Sequence, residues 1–286
     1  MNERDIQARL KKLWGATGLP FTNSSSTDYQ SPLQQSIQQE WLRWIELGAS
    51  GLICGDHGLG KTVLLQRVRE ALSPKLYSVI VLTHTSLSAG DVLCALCQIL
   101  GLEPSYRRSR TARSLVDLWQ REGRKPILLI DEAQNLSAAA LEELRLLMCA
   151  ANQTMAAQPR EPLTLSLCGD LELLPKLRLG INAPLLSRLA YQLQLESFTE
   201  PEVEAYLQAR FEEVALSTPP LEPGTIPLIH KACDGNPRRI NHLLQQTILL
   251  LLEAGSPRIT AALLQRALPK IPSFGHRKTT APSSSP

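Results

Sequence analysis

The chain has 286 residues, 43% hydrophobic and 20% charged, which is the make-up of an ordinary soluble globular protein with room for one large domain and a smaller one. No apolar run approaches the roughly 18 residues that a bilayer-spanning helix needs. The start, MNERDIQARLKK, mixes charges of both signs without an apolar core and so does not read as a secretory leader. A cytoplasmic protein without membrane contact is expected. Six cysteines, Cys54, Cys94, Cys97, Cys149, Cys168 and Cys233, lie in apolar contexts without the spacing of a disulfide framework. The CxxC of LCALC has no second pair or nearby His to complete a zinc site, so the cysteines read as reduced packing residues.

The net charge of +3 is matched by Lys270, Arg277 and Lys278 alone, at the C-terminal end, where no acid occurs. The body is therefore neutral, but its charge is unevenly spread. Residues 103–125 hold seven basic residues against Glu103, Asp117 and Glu122. A basic segment on a neutral body points to contact with a polyanion.

In chain order, a polar helical pattern is followed by GLPFTNSSSTDYQSP, an extended lead-in rich in Ser, Thr and Pro. A helix is predicted over 33–47, with Trp41 and Trp44 on one face as core residues. Short apolar runs at 51–54, 77–83, 127–130 and 163–168, and a more alternating one at 191–195, then interleave with helical patterns at 62–72, 89–100, 111–121 and 137–150. Near-continuous apolar strands separated by helices predict a five-stranded parallel sheet sandwiched by helices. The pattern changes after Phe198. TEPE, from Thr199 to Glu202, is a capping box, and helices alone are predicted from there to about residue 268, at 202–215, 226–233, 237–253 and 261–267. The expected division is a helical and extended lead-in over 1–45, a nucleotide-binding α/β domain over 46–198, a small all-helical domain over 199–269, and a disordered basic tail over 270–286.

Between the first apolar run and its helix lies GDHGLGKTV, residues 55–63. Gly55, Gly60, Lys61 and Thr62 satisfy G-x-x-x-x-G-K-[ST], the loop whose bare backbone lets successive amides point at phosphate oxygens while the helix N-terminus adds its positive end. Gly55, Asp56, His57, Gly58, Leu59, Gly60, Lys61, Thr62 and Val63 are the candidate ATP-binding residues. Lys61 would bridge the outer phosphates, and the Thr62 hydroxyl would ligate Mg²⁺. KPILLIDEAQNLS then places Asp131 and Glu132 at the end of an apolar strand, where a parallel sheet presents its ligand site. Asp131 would hold Mg²⁺, and Glu132 would orient and polarise the attacking water.

These parts, together with LSLCGDLELLPKL, LLSRLAYQLQLESFTEPEVEAYLQARFEEV and DGNPRRINHLLQQTILL, resemble the AAA+ ATPases. Within that group the resemblance is to the branch containing the transposition regulators TnsC, TniB and MuB and the secretion ATPase ExeA, over residues 15–268. It implies a P-loop NTPase fold followed by a helical lid. It also implies an arginine finger at Arg188, acting on a neighbouring subunit's nucleotide, so that the active form is a ring or helical filament of copies of this chain. Arg238 falls at the sensor 2 position, with Arg239 as the competing residue. Asp170 falls at sensor 1, where relatives often carry an uncharged side chain and an acid would repel phosphate unless turned toward Mg²⁺ or water.

SYRRSRTARSL places Arg107, Arg108, Arg110 and Arg113 in a loop between two helices, a density that suits sequence-independent contact with the phosphates of duplex DNA. The resemblance then implies an ATP-dependent regulator that assembles on target DNA, recruits a transposase and a target-selection protein, and is disassembled by hydrolysis. The alternatives are an ExeA-like ATPase of envelope or secretion assembly, for which a spanning segment and a wall-binding domain after the lid would be expected, and a helicase or clamp-loader-type subunit. The tail from Lys270 would be either inert or a docking peptide.

Overall fold

Alternation along the strands decides the architecture. The computed structural model describes residues 2–22, 29–83, 88–154 and 162–271. Its strands are β1 (Ser50–Cys54), β2 (Tyr77–Leu82), β3 (Lys125–Ile130), β4 (Thr164–Gly169) and β5 (Leu189–Gln194). Its helices are α1 (Glu3–Trp14), α2 (Pro32–Leu47), α3 (Lys61–Ala71), α4 (Ala89–Leu100), α5 (Arg108–Glu122), α6 (Ala138–Thr154), α7 (Leu173–Leu177), α8 (Ala183–Leu186), α9 (Glu200–Glu212), α10 (Thr225–Cys233), α11 (Pro237–Ala254) and α12 (Ala261–Ala267). The strands form one sheet in the order β2-β3-β4-β1-β5, with every neighbouring pair parallel.

The chain divides into two compact units, Pro32–Glu196 and Met1–Ser31 with Ser197–Pro286. In the first, each central strand feeds two apolar layers. Leu52 and Cys54 of β1, Leu128 and Ile130 of β3, and Leu165 and Leu167 of β4 join the layer under α4, α5 and α6. Ile53, Ile127, Leu129 and Cys168 join the opposite layer, under α2 and α3. A period of two with both faces covered is why these strands read as unbroken apolar runs. The edge strand β5 alternates buried Tyr191 and Leu193 with exposed Gln192 and Gln194.

The connection from β1 to β2 runs toward one edge of the sheet, whereas those through β2, β3, β4 and β5 run toward the other. Since parallel crossovers keep one hand, the helix after β1 must lie on the opposite face from the helices after β2 and β3. That is the observed division, and it makes the C-terminal end of β1 the switch point where such sheets take ligands. The α2 layer is fixed to the sheet by Trp41, whose buried indole N–H donates to Ser166 Oγ at 3.0 Å, and by Trp44, stacked on Tyr191.

The second unit has its own core, in which Leu10 and Phe21 pack with Phe198, Leu207, Phe211, Leu243 and Leu251. The expected lead-in over 1–45 is therefore corrected: it divides at Ser31/Pro32, because Leu10 and Phe21 are buried with the C-terminal helices while Ile37, Trp41 and Ile45 are buried on the sheet. The capping box at Thr199 is present, with Glu202 accepting the Thr199 N–H at 2.8 Å. Of the basic tail, residues 272–286 lie outside the described residues.

Gly235, between α10 and α11, has φ +63°, and a Cβ there would run into the Phe198 carbonyl oxygen. Phe198 cannot retreat, since its N–H donates to Gly235 O at 2.9 Å. Gly255 has nearly the same φ, +66°, but open space around it. Gly255→Ala should cost about 1 kcal/mol of unfolding free energy for its left-handed backbone. Gly235→Ala should cost clearly more, about 3 kcal/mol, in paired denaturant titrations.

Candidate functional site

β1 runs into a loop that glycine alone holds without strain. Gly58 and Gly60 sit at φ 86° and 92°, and a Cβ on Gly55 would stand 3.0 Å from the Cβ and carbonyl oxygen of Leu195. Leu195 is fixed there by its own N–H bond to Cys54 O, 2.8 Å. α3 then begins with Gly60 as a cap that supplies no side-chain acceptor, and its first turn carries no acid. α1, α4 and α9 by contrast each close the first turn with a capping box. The first amides of α3 and its positive end are thereby left for an anionic acceptor from outside the helix.

Lys61 is buried, and its Nζ donates to the carbonyls of Gly55 at 2.7 Å and Asp56 at 2.9 Å, so its charge is held inside the loop. Leu59 is a packing residue, buried in the α2/α3 layer with its carbonyl accepting from Gln34 Nε2 at 3.1 Å, whereas Val63 is exposed. The Thr62 hydroxyl donates to Asp131 Oδ2 at 2.6 Å. Asp131 is buried at the end of β3, and its second oxygen, Oδ1, accepts the Glu132 N–H at 2.9 Å. A hydroxyl and a carboxylate brought together beside uncapped helix amides are hard oxygen donors of the kind Mg²⁺ takes, so the residues fit an Mg²⁺–nucleotide.

Glu132 has a left-handed backbone, φ 50° and ψ 39°, which costs a non-glycine residue about 1–3 kcal/mol and is concentrated at functional positions. Its Oε2 accepts from Gln134 Nε2 at 2.7 Å, and Gln134 Oε1 accepts the Asp170 N–H at 3.2 Å. Asp170, nearly buried beyond β4, directs Oδ2 to His57 Nε2 at 3.3 Å, while its Oδ1 accepts the Glu172 N–H at 2.9 Å. These contacts close a ring from the loop through Thr62, Asp131, Glu132, Gln134 and Asp170 back to His57. The acid expected to sit near phosphate, Asp170, is thus turned onto His57 of the loop. Gln134 is the member that sequence reasoning missed. Its only signal was a polar residue two positions after Glu132.

The other candidate residues are not brought into this ring. Arg188 is half-buried beyond α8, and its guanidinium makes no ion pair or hydrogen bond among the described residues; Leu179 and Ile181, earlier in the same connection, are exposed. In the helical unit, Asn236 Oδ1 caps α11 by accepting the N–H groups of Arg238 and Arg239. Arg239 is held by Asp234 at 2.9 Å, while Arg238 is exposed. The expected loop carrying the arginines is corrected: α5 starts at Arg108, so Arg108, Arg110 and Arg113 lie on its first two turns, with Arg107 as its cap. Thr111 Oγ1 accepts the Ser105 N–H at 3.0 Å and pins this turn, whereas the apolar period visible in the sequence begins only at Thr111 and Leu115. Arg107, Arg108, Arg110 and Arg113 are all exposed, with Tyr106 fully exposed beside them; Arg108 alone pairs with a buried acid, Glu143 on α6, at 3.3 Å.

Residues 46–177 match the AAA domain family. The stretch from the end of α2 through α7 is thus an AAA-type domain. It is 26% identical over 219 residues to general secretion pathway protein A of Aeromonas hydrophila, covering 74% of this chain and 39% of that protein. It is 33% identical over 120 residues to the ATP-dependent target DNA activator B of Escherichia phage Mu, covering 40% of this chain and 36% of that protein. The chain thus spans about two fifths of the length of the curated relatives it matches. Among solved structures, the ORC1 protein of Aeropyrum pernix in complex with DNA is similar at 18% identity and a TM-score of 0.65, over 87% of this chain and 68% of that one. The RuvB Holliday junction branch migration motor of Thermotoga maritima is similar at 21% identity and a TM-score of 0.53, over 86% and 70%. At these identities the likeness shows that the fold of the AAA domain is shared. Among the described residues no helix is long and apolar enough to cross a membrane, and no cluster of His, Cys, Asp or Glu is arranged to hold a metal on its own.

All six cysteines are free thiols. Burial pushes Cys54, directly before the loop, up to about 11, with Lys61 opposing and Asp170 adding to the shift. Cys168, at the end of β4, is raised well above its ordinary value by burial and then by the Asp131 charge. A raised value means that the thiolate forms only at alkaline pH, so neither is a nucleophile near neutrality. Iodoacetamide at pH 8, read by peptide mass spectrometry, should label the half-buried Cys94 and Cys149 first and reach Cys54 and Cys168 only on unfolding.

Proposed function

We propose that this protein is an ATP-dependent, DNA-binding regulator of transposition, which assembles on duplex DNA and recruits a transposase and a target-selection partner. The observation that carries the ATPase part is the Thr62–Asp131 contact beside the uncapped start of α3. ATP is the substrate, with its phosphates on the loop amides and on Lys61. Thr62 and Asp131 would hold Mg²⁺, which supplies positive charge against the phosphate oxygens. Glu132 orients the water and takes up its proton. The transposition part is supported by the similarity to the phage Mu target DNA activator.

Arg188 is proposed to act in trans on the nucleotide of the next copy, in a ring or filament. Its unengaged guanidinium, on a connection that also exposes Leu179 and Ile181, supports that role. Arg238 is preferred to Arg239 for sensor 2, because Arg239 is already committed to Asp234. Function in the cytoplasm follows from this reading. A role in envelope or secretion assembly is the second reading, favoured by the longer match to general secretion pathway protein A.

Lys61→Ala should lose binding of a fluorescent ATP analogue. Glu132→Gln should keep that binding while turnover falls by about 100-fold or more. Arg188→Ala should bind ATP normally yet hydrolyse it as slowly at high protein concentration as wild type does at high dilution. Equal wild-type ATPase per subunit at both concentrations would remove the in-trans role.

DNA contact is proposed at the start of α5. Cations there face the positive end of the helix, an arrangement that costs about 0.3–1 kcal/mol each and that a bound anion relieves. Arg107→Ala, Arg110→Ala and Arg113→Ala should each flatten the salt dependence of duplex binding by about 0.9 in log–log slope per lost phosphate contact, alike for unrelated sequences. Arg108→Ala should lower the slope less, because its charge is shared with Glu143. Anisotropy titrations across salt concentrations read this, and no duplex binding at any salt would favour the secretion reading.

A further inference from the structure

We propose that Gln134 is a positioning residue for ATP hydrolysis, one that sets the Glu132 carboxylate and ties it to the backbone at the end of β4. This rests on the reading of Glu132 as the group that orients water. The amide of Gln134 is used at both ends: Nε2 donates to Glu132 Oε2 at 2.7 Å, and Oε1 accepts the Asp170 N–H at 3.2 Å. An amide is the side chain that can do both at once, since it carries a donor and an acceptor on one carbon. Neither a carboxylate nor a simple hydrocarbon of the same length would complete the bridge.

Three further features hold the amide in place. Lys176 Nζ donates to the Gln134 carbonyl at 2.6 Å, which fixes the backbone from α7. Gln134 lies in a single 3-10 turn, Ala133–Asn135, bracketed by the fully buried Ala133 and Leu136. Gly169, the last residue of β4, leaves the room that the amide occupies, because a Cβ there would stand 2.7 Å from Gln134 Oε1 and 2.9 Å from Leu173 Cδ2. The close approach therefore depends on glycine at 169, and the bridge depends on that approach.

The consequence is chemical. Asp131 binds the Glu132 N–H and so fixes the backbone, but the carboxylate still has its own torsions to settle. A charge-assisted bond from Gln134 selects one orientation, and hydrolysis needs the carboxylate within about 0.5 Å of its working position. Because Gln134 is also bonded to the Asp170 backbone, a shift at the end of β4 carries over to Glu132. Asp170 is in turn paired with His57 of the loop, so the loop and the water-orienting group are joined through Gln134.

The test uses the full chain, with steady-state ATPase measured beside the affinity for a fluorescent ATP analogue and the thermal midpoint. Gln134→Met keeps length and volume but neither hydrogen bond. Its kcat should fall by about 10- to 100-fold, while KM and analogue affinity stay within about twofold of wild type and the thermal midpoint moves by no more than about 3 °C. Combining it with Glu132→Gln should slow turnover no further than Glu132→Gln does alone, as expected when one residue acts through the other. Gly169→Ala, which displaces the amide, should lower kcat in the same direction. Wild-type kcat in Gln134→Met beside a slow Glu132→Gln would overturn the positioning role alone. Additive losses, or affinity and melting that fall along with kcat, would reduce Gln134 to a structural residue. Full turnover in Glu132→Gln would instead remove the reading on which the proposal stands.

Discussion

Thr62 and Asp131 are 69 residues apart in the chain and meet at 2.6 Å. The contact depends on β1 and β3 running parallel with β4 between them. The register sets the offset: Ile130 at the end of β3 and Leu52 of β1 both lie opposite Leu167, so β1 runs two residues further, to Cys54 opposite Gly169, before its loop returns to α3 and Thr62. Every other element of this unit serves that alignment. α2 and α3 press one face of the sheet and α4 to α6 the other. The buried polar side chains of the strands are few: Ser50, Ser78, Ser166 and Thr164, and Ser50 and Ser166 are hydrogen-bonded.

With the strands held in this register, the site is assembled by short bonds that each offset a local cost. Glu132 in the left-handed region is unfavourable by about 1–3 kcal/mol. In that conformation the Glu132 N–H donates to Asp131 Oδ1 and the Glu132 carboxylate accepts from Gln134. Asp170 places an acid next to the proposed phosphate path, and its two oxygens are taken by His57 and the Glu172 N–H.

Much of this was legible in the sequence because the physical signals were local. Strands buried on both faces appear as apolar runs, and the Gly55–Thr62 spacing, the strand running into Asp131 and the Thr199–Glu202 box each declare themselves within about ten residues. Other features depend on partners distant in the chain. The start of α5 was read three residues late because its first turn offers only arginines and serine to the apolar pattern, while the bond that fixes it runs between Thr111 and Ser105. The first 31 residues join the C-terminal helices through Leu10 and Phe21, and no periodicity announces a contact of that separation. Gln134 stayed hidden for the same reason: its role is set by a glycine and an amide some 35 residues onward, at Gly169 and Asp170.

The start of α5 and the backbone of Glu132 break local rules in comparable ways, and each break has a compensating partner. Three arginines at or before the third residue of a helix oppose its dipole, and no acid of that turn offsets them. Glu143 answers one, from a position buried enough that its carboxylate would be costly to leave alone. Arg107, Arg110 and Arg113 remain exposed with no acid in that turn, so the surface keeps a concentrated positive charge that folding alone would select against. A cost retained on the surface, compensated just enough to keep the helix in place, is what a sequence-independent hold on a polyanion requires. The compensating acid sits on α6, the helix that begins just after Gln134 and Asn135, so the element that steadies the basic face is continuous in the chain with the turn proposed to position Glu132.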